Sequence, residues 1–270
     1  MAIITVSRQH YSLGDEIAKK VADDLGYALI DKQKVGDALA VLGLPAGQMD
    51  RYDEKKPSIW DSLAIQHNRF LCLMKAAIYD FAAKDNTLIL GRGGQVLLKN
   101  FPGVLHLRMV SPFEVRLKRL MDHDGYDEKN GEKVLRQRDR DSSGYIRSFF
   151  SEDWNDPDYY DLVINTNTLS IDTATGMILS AIQSAEFQGD VSERTDRLAA
   201  LCLKYKAEAV MMELQRGSNI YAAVTNVDKG IITLRGTASS AMIKEDCGLA
   251  ISKIEGVKEI KNEIVVVKSV

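Results

Sequence analysis

Phosphate chemistry needs exposed backbone N–H groups, small residues that let the chain approach, and fixed cations. In ITVSRQHYSLGDEIAKK, from Ile4, the hydroxyls of Ser7 and Ser12, the guanidinium of Arg8 and the small Gly14 stand between a strand-like and a helix-like run. A helix N-terminus behind such a loop is an anion cradle. The pattern G-x-x-x-x-G-K-[ST] is absent, however. Spacing alone therefore fits a plain βα turn as well as a phosphate loop. In TLILGRGGQVLL, Arg92 sits among Gly91, Gly93 and Gly94 at the end of an apolar run. An arginine held there can grip a phosphate with two parallel hydrogen bonds, or be a surface cation bracketed by turn glycines. The segment from Arg116 to Phe150 concentrates arginines, Arg116, Arg119, Arg136, Arg138, Arg140 and Arg147, with Asp139 and Asp141 between them. Such a stretch suits a lid that closes positive charge over transferring phosphates. It equally suits a solvated helix with i,i+4 pairs.

These residues need elements to hold them. Ile3–Val6 is β-branched, and Ile17, Val21 and Leu25 recur at helical spacing before Gly26, so a strand and a helix over 15–25 are expected. YALID supplies a second strand, which completes a βαβ unit and implies a parallel sheet. A helix is expected over 61–83, and strands at TLIL, VLHLRMV and YDLVINT. SPFE places Ser111 as N-cap, Pro112 at the first helical position and Glu114 as the closing residue of a capping box. Ser170 is expected to cap a helix reaching residue 185. Strand and helix thus alternate to residue 186: an α/β domain whose parallel sheet carries helices on both faces, with its ligand site at the C-terminal strand ends. After EFQGDVSER the order becomes helix (192–216), two strands joined through VDKG, helix (239–254) and strand, a small α+β domain of αββαβ type. The expected domains are residues 1–187 and 188–270.

The chain has 270 residues and a net charge of −3, which gives no reason to expect nucleic acid as a partner. Cys72, Cys202 and Cys247 lie far apart and read as buried, reduced thiols. His10, His67, His106 and His123 have no metal-ligand spacing, and no protein-held metal is expected. The N-terminus enters a strand pattern directly, and no apolar run reaches the roughly 20 residues of a membrane span, so the expected location is the cytoplasm. Trp60 and Trp154 read as packing residues.

ITVSRQHYSLGDEIAKKVADDLGYALIDK, LILGRGGQVLL and EDWNDPDYYDLVINT, in that order, resemble the bacterial cytidylate kinase-like family, a branch of the P-loop nucleoside-monophosphate kinases. The resemblance covers about residues 1–185. It implies a P-loop kinase-like sheet, ATP with Mg2+ as cofactor, and transfer of a γ-phosphoryl to CMP or dCMP. Matched by position, Ser7, Arg8, Ser12 and Gly14 fall on the family's S-R-x-x-G-S-G-G loop, with Ser7, Ser12, Gly14 and Arg8 on the donor phosphates. Arg92 and Asp31 would hold the acceptor, and Asp139, which matches the family's lid pattern with Arg147, and Asp161, in YDLVINT, would be further substrate-binding residues. Arg119, Arg138 and Arg147 would, with Arg8, stabilise developing charge. Tyr11 and Leu13 replace loop glycines, so Leu13 is expected to add bulk near the phosphate and Tyr11 to take a backbone conformation cheap only for glycine. Ser142 stands where the lid would have an arginine. GIITLRGTASSAMIKEDCGLAISKIEGVKEIKNEIVVV resembles a BON domain, which implies a regulatory or interaction module and a protein partner or homo-oligomer. Retained arginines favour catalysis; Tyr11, Leu13 and Ser142 favour a nucleotide sensor or a scaffold.

Overall fold

A computed structural model describes residues 2–45, 64–189 and 191–267. Trp60 and the expected start of a helix at residues 61–63 lie outside the described residues. The described residues divide into two compact units: 2–37, 45, 84–189 and 191, then 38–44, 64–83 and 192–267.

In the first unit, β1 (Ile3–Arg8), β2 (Ala28–Ile30), β3 (Thr87–Leu90), β4 (Val104–Val110) and β5 (Leu162–Asn165) form one sheet in the order β2-β3-β1-β4-β5. Every neighbouring pair is parallel. Three of the strands, β1, β3 and β4, are buried almost throughout, and Ile4, Val6, Leu88, Leu105 and Leu107 share one apolar face with Ile164 of β5. Against that face pack α1 (Gly14–Leu25), through Ile17 and Val21, and α7 (Ile171–Ile182), through Ala174, Ile178 and Ile182. The short α4 (Gly94–Leu97) lies on the other face, its Gly94 against Thr5 and Ile89. The doubly covered parallel sheet expected from the alternating pattern is therefore present.

Of the two expected serine N-caps, one forms. Ser170 accepts from the Thr173 N–H and caps α7 as expected. The capping box at SPFE does not form: α5 (Phe113–Asp124) begins after Pro112, with no side-chain cap. The Ser111 backbone is used instead, its N–H bonded to the Gln9 side chain and its C=O to Arg116. α6 (Glu128–Phe150) is one continuous helix capped by Asp127, whose carboxylate accepts from the Asn130 N–H. α2 (Lys32–Val41) follows β2.

The second unit contains α8 (Ser192–Gly217), β6 (Ile220–Asp228), β7 (Ile231–Ala238), α9 (Ala241–Ser252) and β8 (Glu259–Val266), in the αββαβ order expected. β6 and β7 pair antiparallel and β8 joins β7 in parallel, giving a sheet of order β6-β7-β8. Lys229 and Gly230 both have positive φ at the β6–β7 turn, as a tight hairpin with right-handed strand twist requires. α3 (Ala64–Ala83) belongs to this unit and packs along α8. There Tyr79 stacks on Tyr205 at 5.8 Å and Arg69 pairs with Glu213 at 3.0 Å. Burial, helped by the Glu208 carboxylate, pushes the Cys72 thiol up to about 12. Burial likewise raises Cys202, and raises Cys247 to about 11, so all three free thiols stay protonated at neutral pH.

Candidate active site

At the C-terminal edge of the parallel sheet, β1 hands over to a five-residue loop, Gln9–Leu13, and then to α1. The Gln9 N–H bonds to the Met109 C=O, and the Ser12 N–H turns back onto the Gln9 C=O, closing the loop on itself. Tyr11 and Leu13 both have φ of 61°, the left-handed conformation expected for Tyr11. Each costs about 1–2 kcal/mol relative to an ordinary backbone. Among the described residues, no acceptor takes the N–H of Tyr11, Leu13 or Gly14. Leu13 gives α1 no side-chain cap. Free amides gathered at a helix start form an anion-binding concavity.

The bulk of Tyr11 and Leu13 does not fill that concavity, contrary to the expectation for Leu13. Leu13 packs onto the sheet's apolar core. Tyr11 enters the α5–α6 hairpin beside Leu117, Leu120 and Leu135. Its hydroxyl donates to Asp124, and the Arg138 guanidinium lies 5.7 Å from its ring centroid. Apolar packing thus offsets the strain. Burial, then the Asp124 contact, pushes the Tyr11 phenol up; the Tyr11 and His123 hydrogen bonds pull the Asp124 carboxyl down. A depressed carboxylate contributes stability above its unfolded pKa of roughly 4 and loses it as pH falls through the folded value. In Tyr11→Phe, carboxylate NMR should show Asp124 titrating at higher pH than in wild type; an unmoved titration would contradict the Tyr11 bond.

Beside the loop lies a cleft with about 300 Å3 of empty space, part of it open to solvent. Its lining includes Ser7, Arg8, Arg92, Gln95, Ser142, Tyr145 and Trp154. β1 brings Ser7 and Arg8, the β3–α4 turn brings Arg92 and Gln95, and the inward stripe of α6 brings Ser142, Tyr145 and Ile146. Ser7 accepts a 2.8 Å bond from the Trp154 indole, which leaves its own hydrogen to donate. Arg92 is buried with φ of 55°, and at Gly93 an added Cβ would lie 2.3 Å from the Phe150 ring, so α6 closes directly over this turn. Arg8 pairs with Asp15 at 3.0 Å, which offsets part of its charge at the helix entry. Gly14 is required by space: a Cβ there would lie 2.4 Å from the Arg8 Cβ. Position 142 faces the cleft, so serine there withholds a cation from it.

The remaining sequence candidates lie elsewhere. The Ser12 hydroxyl is fully buried, 2.7 Å from the Gln9 C=O, and fastens the loop rather than facing a ligand. Asp31 caps α2 through the Lys34 N–H. Asp139 is taken by a two-bond pair with Arg116, both contacts 2.9 Å. Asp161 accepts from the His106 N–H at 2.7 Å and ties β5 to β4. Arg119 lies behind the loop, Arg138 on Tyr11, and Arg147 is exposed outside the cleft lining. Sequence reasoning missed Gln95, Tyr145 and Arg108. The last is buried, stacks 4.2 Å from the Trp154 ring and bonds the Trp154 C=O, so it braces the segment that holds Ser7. The helical period of α6 carried the signal for Tyr145; nothing local marked Arg108.

The sequence model of the Cytidylate kinase-like family matches residues 3–168, more than half of the chain. The chain belongs to the cytidylate kinase-like family. Cytidylate kinase from Archaeoglobus fulgidus is 27% identical over 189 residues, 69% of this chain and 98% of that protein. Cytidylate kinase from Pyrobaculum islandicum is 25% identical over 187 residues, 67% of this chain and 93% of that protein. A stretch of 98 residues, 36% of this chain, is 26% identical to uronate isomerase from Corynebacterium glutamicum but spans only 19% of that enzyme. The crystal structure of an uncharacterized protein from Eubacterium ventriosum shares the fold, with a TM-score of 0.54 and 22% identity over 68% of this chain and 99% of that one.

Proposed function

We propose that the first unit binds ATP on the β1–α1 loop and transfers its γ-phosphoryl to a pyrimidine nucleoside monophosphate, CMP or dCMP, in the adjoining cleft. The observation that carries this reading is the row of unengaged N–H groups at Tyr11, Leu13 and Gly14 beside a cleft that holds both Arg8 and Arg92. The amides would hold the donor phosphates. Arg92, with Ser7 and Gln95, would hold the acceptor, and Arg8 stands between them. An acceptor phosphate oxygen attacks the γ-phosphorus as ADP leaves, and positioning with charge neutralisation supplies the catalysis. Mg2+ would arrive on the ATP phosphates, since among the described residues no three His, Cys, Asp or Glu stand together as a metal site.

A second reading, nucleotide binding without turnover, is favoured by the arginines. Arg116 and Arg119 are bonded to protein carbonyls and Arg138 lies on Tyr11, so the cleft keeps few mobile cations. The second unit, with its αββαβ order, reads as a BON-type regulatory or interaction module that meets a protein partner or a second copy. No helix among the described residues is long and apolar enough to cross a membrane, and we place the protein in the cytoplasm. Purified full chain with Mg-ATP and CMP or dCMP should yield the diphosphate and ADP. Thermal stabilisation by ATP without product would select the second reading, and absence of nucleotide binding would overturn both.

A further inference from the structure

Three consecutive carbonyls of the phosphate loop each accept from a side chain outside the loop, two on α5 and one just after β5. The His10 C=O accepts from Arg116 at 3.3 Å, the Tyr11 C=O from Arg119 at 3.1 Å, and the Ser12 C=O from the Thr166 hydroxyl at 2.8 Å. Thr166 follows β5 and is fully buried; Arg116 and Arg119 lie one turn apart on α5. Arg119 also donates to the Thr166 C=O at 2.7 Å and to its Oγ at 3.2 Å, so the clamp is braced across its width. Arg116 is anchored by Ser111 and by the two-bond pair with Asp139.

A peptide unit is planar and trans, so its C=O and N–H point in opposite directions. Holding the His10 C=O back therefore aims the Tyr11 N–H forward, and holding the Ser12 C=O back aims the Leu13 N–H forward. The peptide between them, clamped by Arg119, carries the Ser12 N–H that closes the loop on Gln9. In a loop without glycine at positions 11 and 13, left-handed backbone is strained and needs external holding. We propose that Arg116, Arg119 and Thr166 are positioning residues that set the direction of the phosphate-binding amides, an assignment that rests on ATP binding at this loop. Arg119 then acts through the loop, not as a cation on the transferring phosphate. Because Asp139 lies on α6, Arg116 also ties the loop to the helix that covers the cleft.

Calorimetric titration of the full chain with Mg-ATP, inorganic triphosphate and CMP tests this, with Thr166→Val and Thr166→Ser compared. Thr166→Val, which keeps the shape but loses the donor, should raise the Kd for ATP and for triphosphate about tenfold and leave that for CMP within about twofold. Thr166→Ser should bind all three as wild type does. Should Thr166→Val fail to fold, Arg119→Lys, which keeps the charge but not the two-armed grip, is expected to show the same split. Unchanged triphosphate affinity, or equal weakening for triphosphate and CMP, would overturn the assignment while leaving ATP binding intact. Wild-type protein that binds neither ATP nor triphosphate would overturn the functional reading itself, and the assignment with it.

Discussion

Arg92→Ala is expected to lower kcat/KM for the monophosphate by about 10²–10³, the usual effect of removing one preorganised donor from developing charge. The backbone supports reading that loss as chemical. Arg92 already sits at φ of 55°, so alanine inherits the same left-handed strain and adds none. Gly91 and Gly93 also have positive φ, and α4 starts directly after them, so the turn is fixed by its neighbours. What alanine removes is a guanidinium that is 5% exposed and faces the cleft. A buried charged donor is worth more than a solvated one, because the medium around it screens less. Arg92→Lys should restore little, since a point charge cannot make two parallel bonds to a phosphate. Steady-state kinetics with CMP and ATP varied in turn checks this: the CMP term should worsen most. Activity within twofold of wild type would remove Arg92 from the acceptor site.

The sheet was legible because its signals are local and strong. Apolar runs of four to seven residues at β1, β3 and β4 cannot be exposed, and Gly26 and Ser170 mark helix boundaries through chemistry confined to one turn. The loop after β1 was legible as a position, and Ser7, Arg8 and Arg92 do meet in one cleft. Residue type alone says less about role. A carboxylate reads as a ligand in sequence, yet the Asp31 carboxylate caps a helix, and those of Asp139 and Asp161 bond an arginine and a strand N–H. Arginine is equally ambiguous: its five donors suit a phosphate or several carbonyls, and Arg116 and Arg119 take carbonyls. Ser111 fails as a cap because α5 starts one residue later, after Pro112, and the Ser111 N–H that Glu114 would reach is taken by Gln9, 102 residues away. Likewise α3 carries an apolar pattern that fits any neighbouring surface, and only the folded chain shows that it joins α8. Partners distant in sequence leave no mark on local spacing.

The largest stability loss is expected in the second unit, from Gly236→Ala. β7 is the central strand of its sheet, and Gly236 pairs with Ala222 of β6. A Cβ at Gly236 would lie 2.1 Å from the Tyr221 C=O oxygen and 2.4 Å from the Ala222 Cα, and its φ is 147°. Backbone atoms cannot rotate away as a side chain can, so β6 must separate from β7 or the strand must bend. Overpacking plus a strained φ puts the cost at about 3 kcal/mol or more. The same exchange at Gly176 should have the opposite sign. That residue lies on the exposed side of α7, with nothing within 4 Å of an added Cβ, so alanine should stabilise by about 0.5–1 kcal/mol. Chemical denaturation of both variants measures the pair. Hydrogen exchange should place the Gly236→Ala loss on β6 and β7 amides and leave the parallel sheet protected. Equal midpoints for the two variants would contradict the close strand approach. Ala222→Gly in the Gly236→Ala background should recover only part of the loss: it removes a methyl contact at 2.8 Å, but the closer Tyr221 oxygen remains.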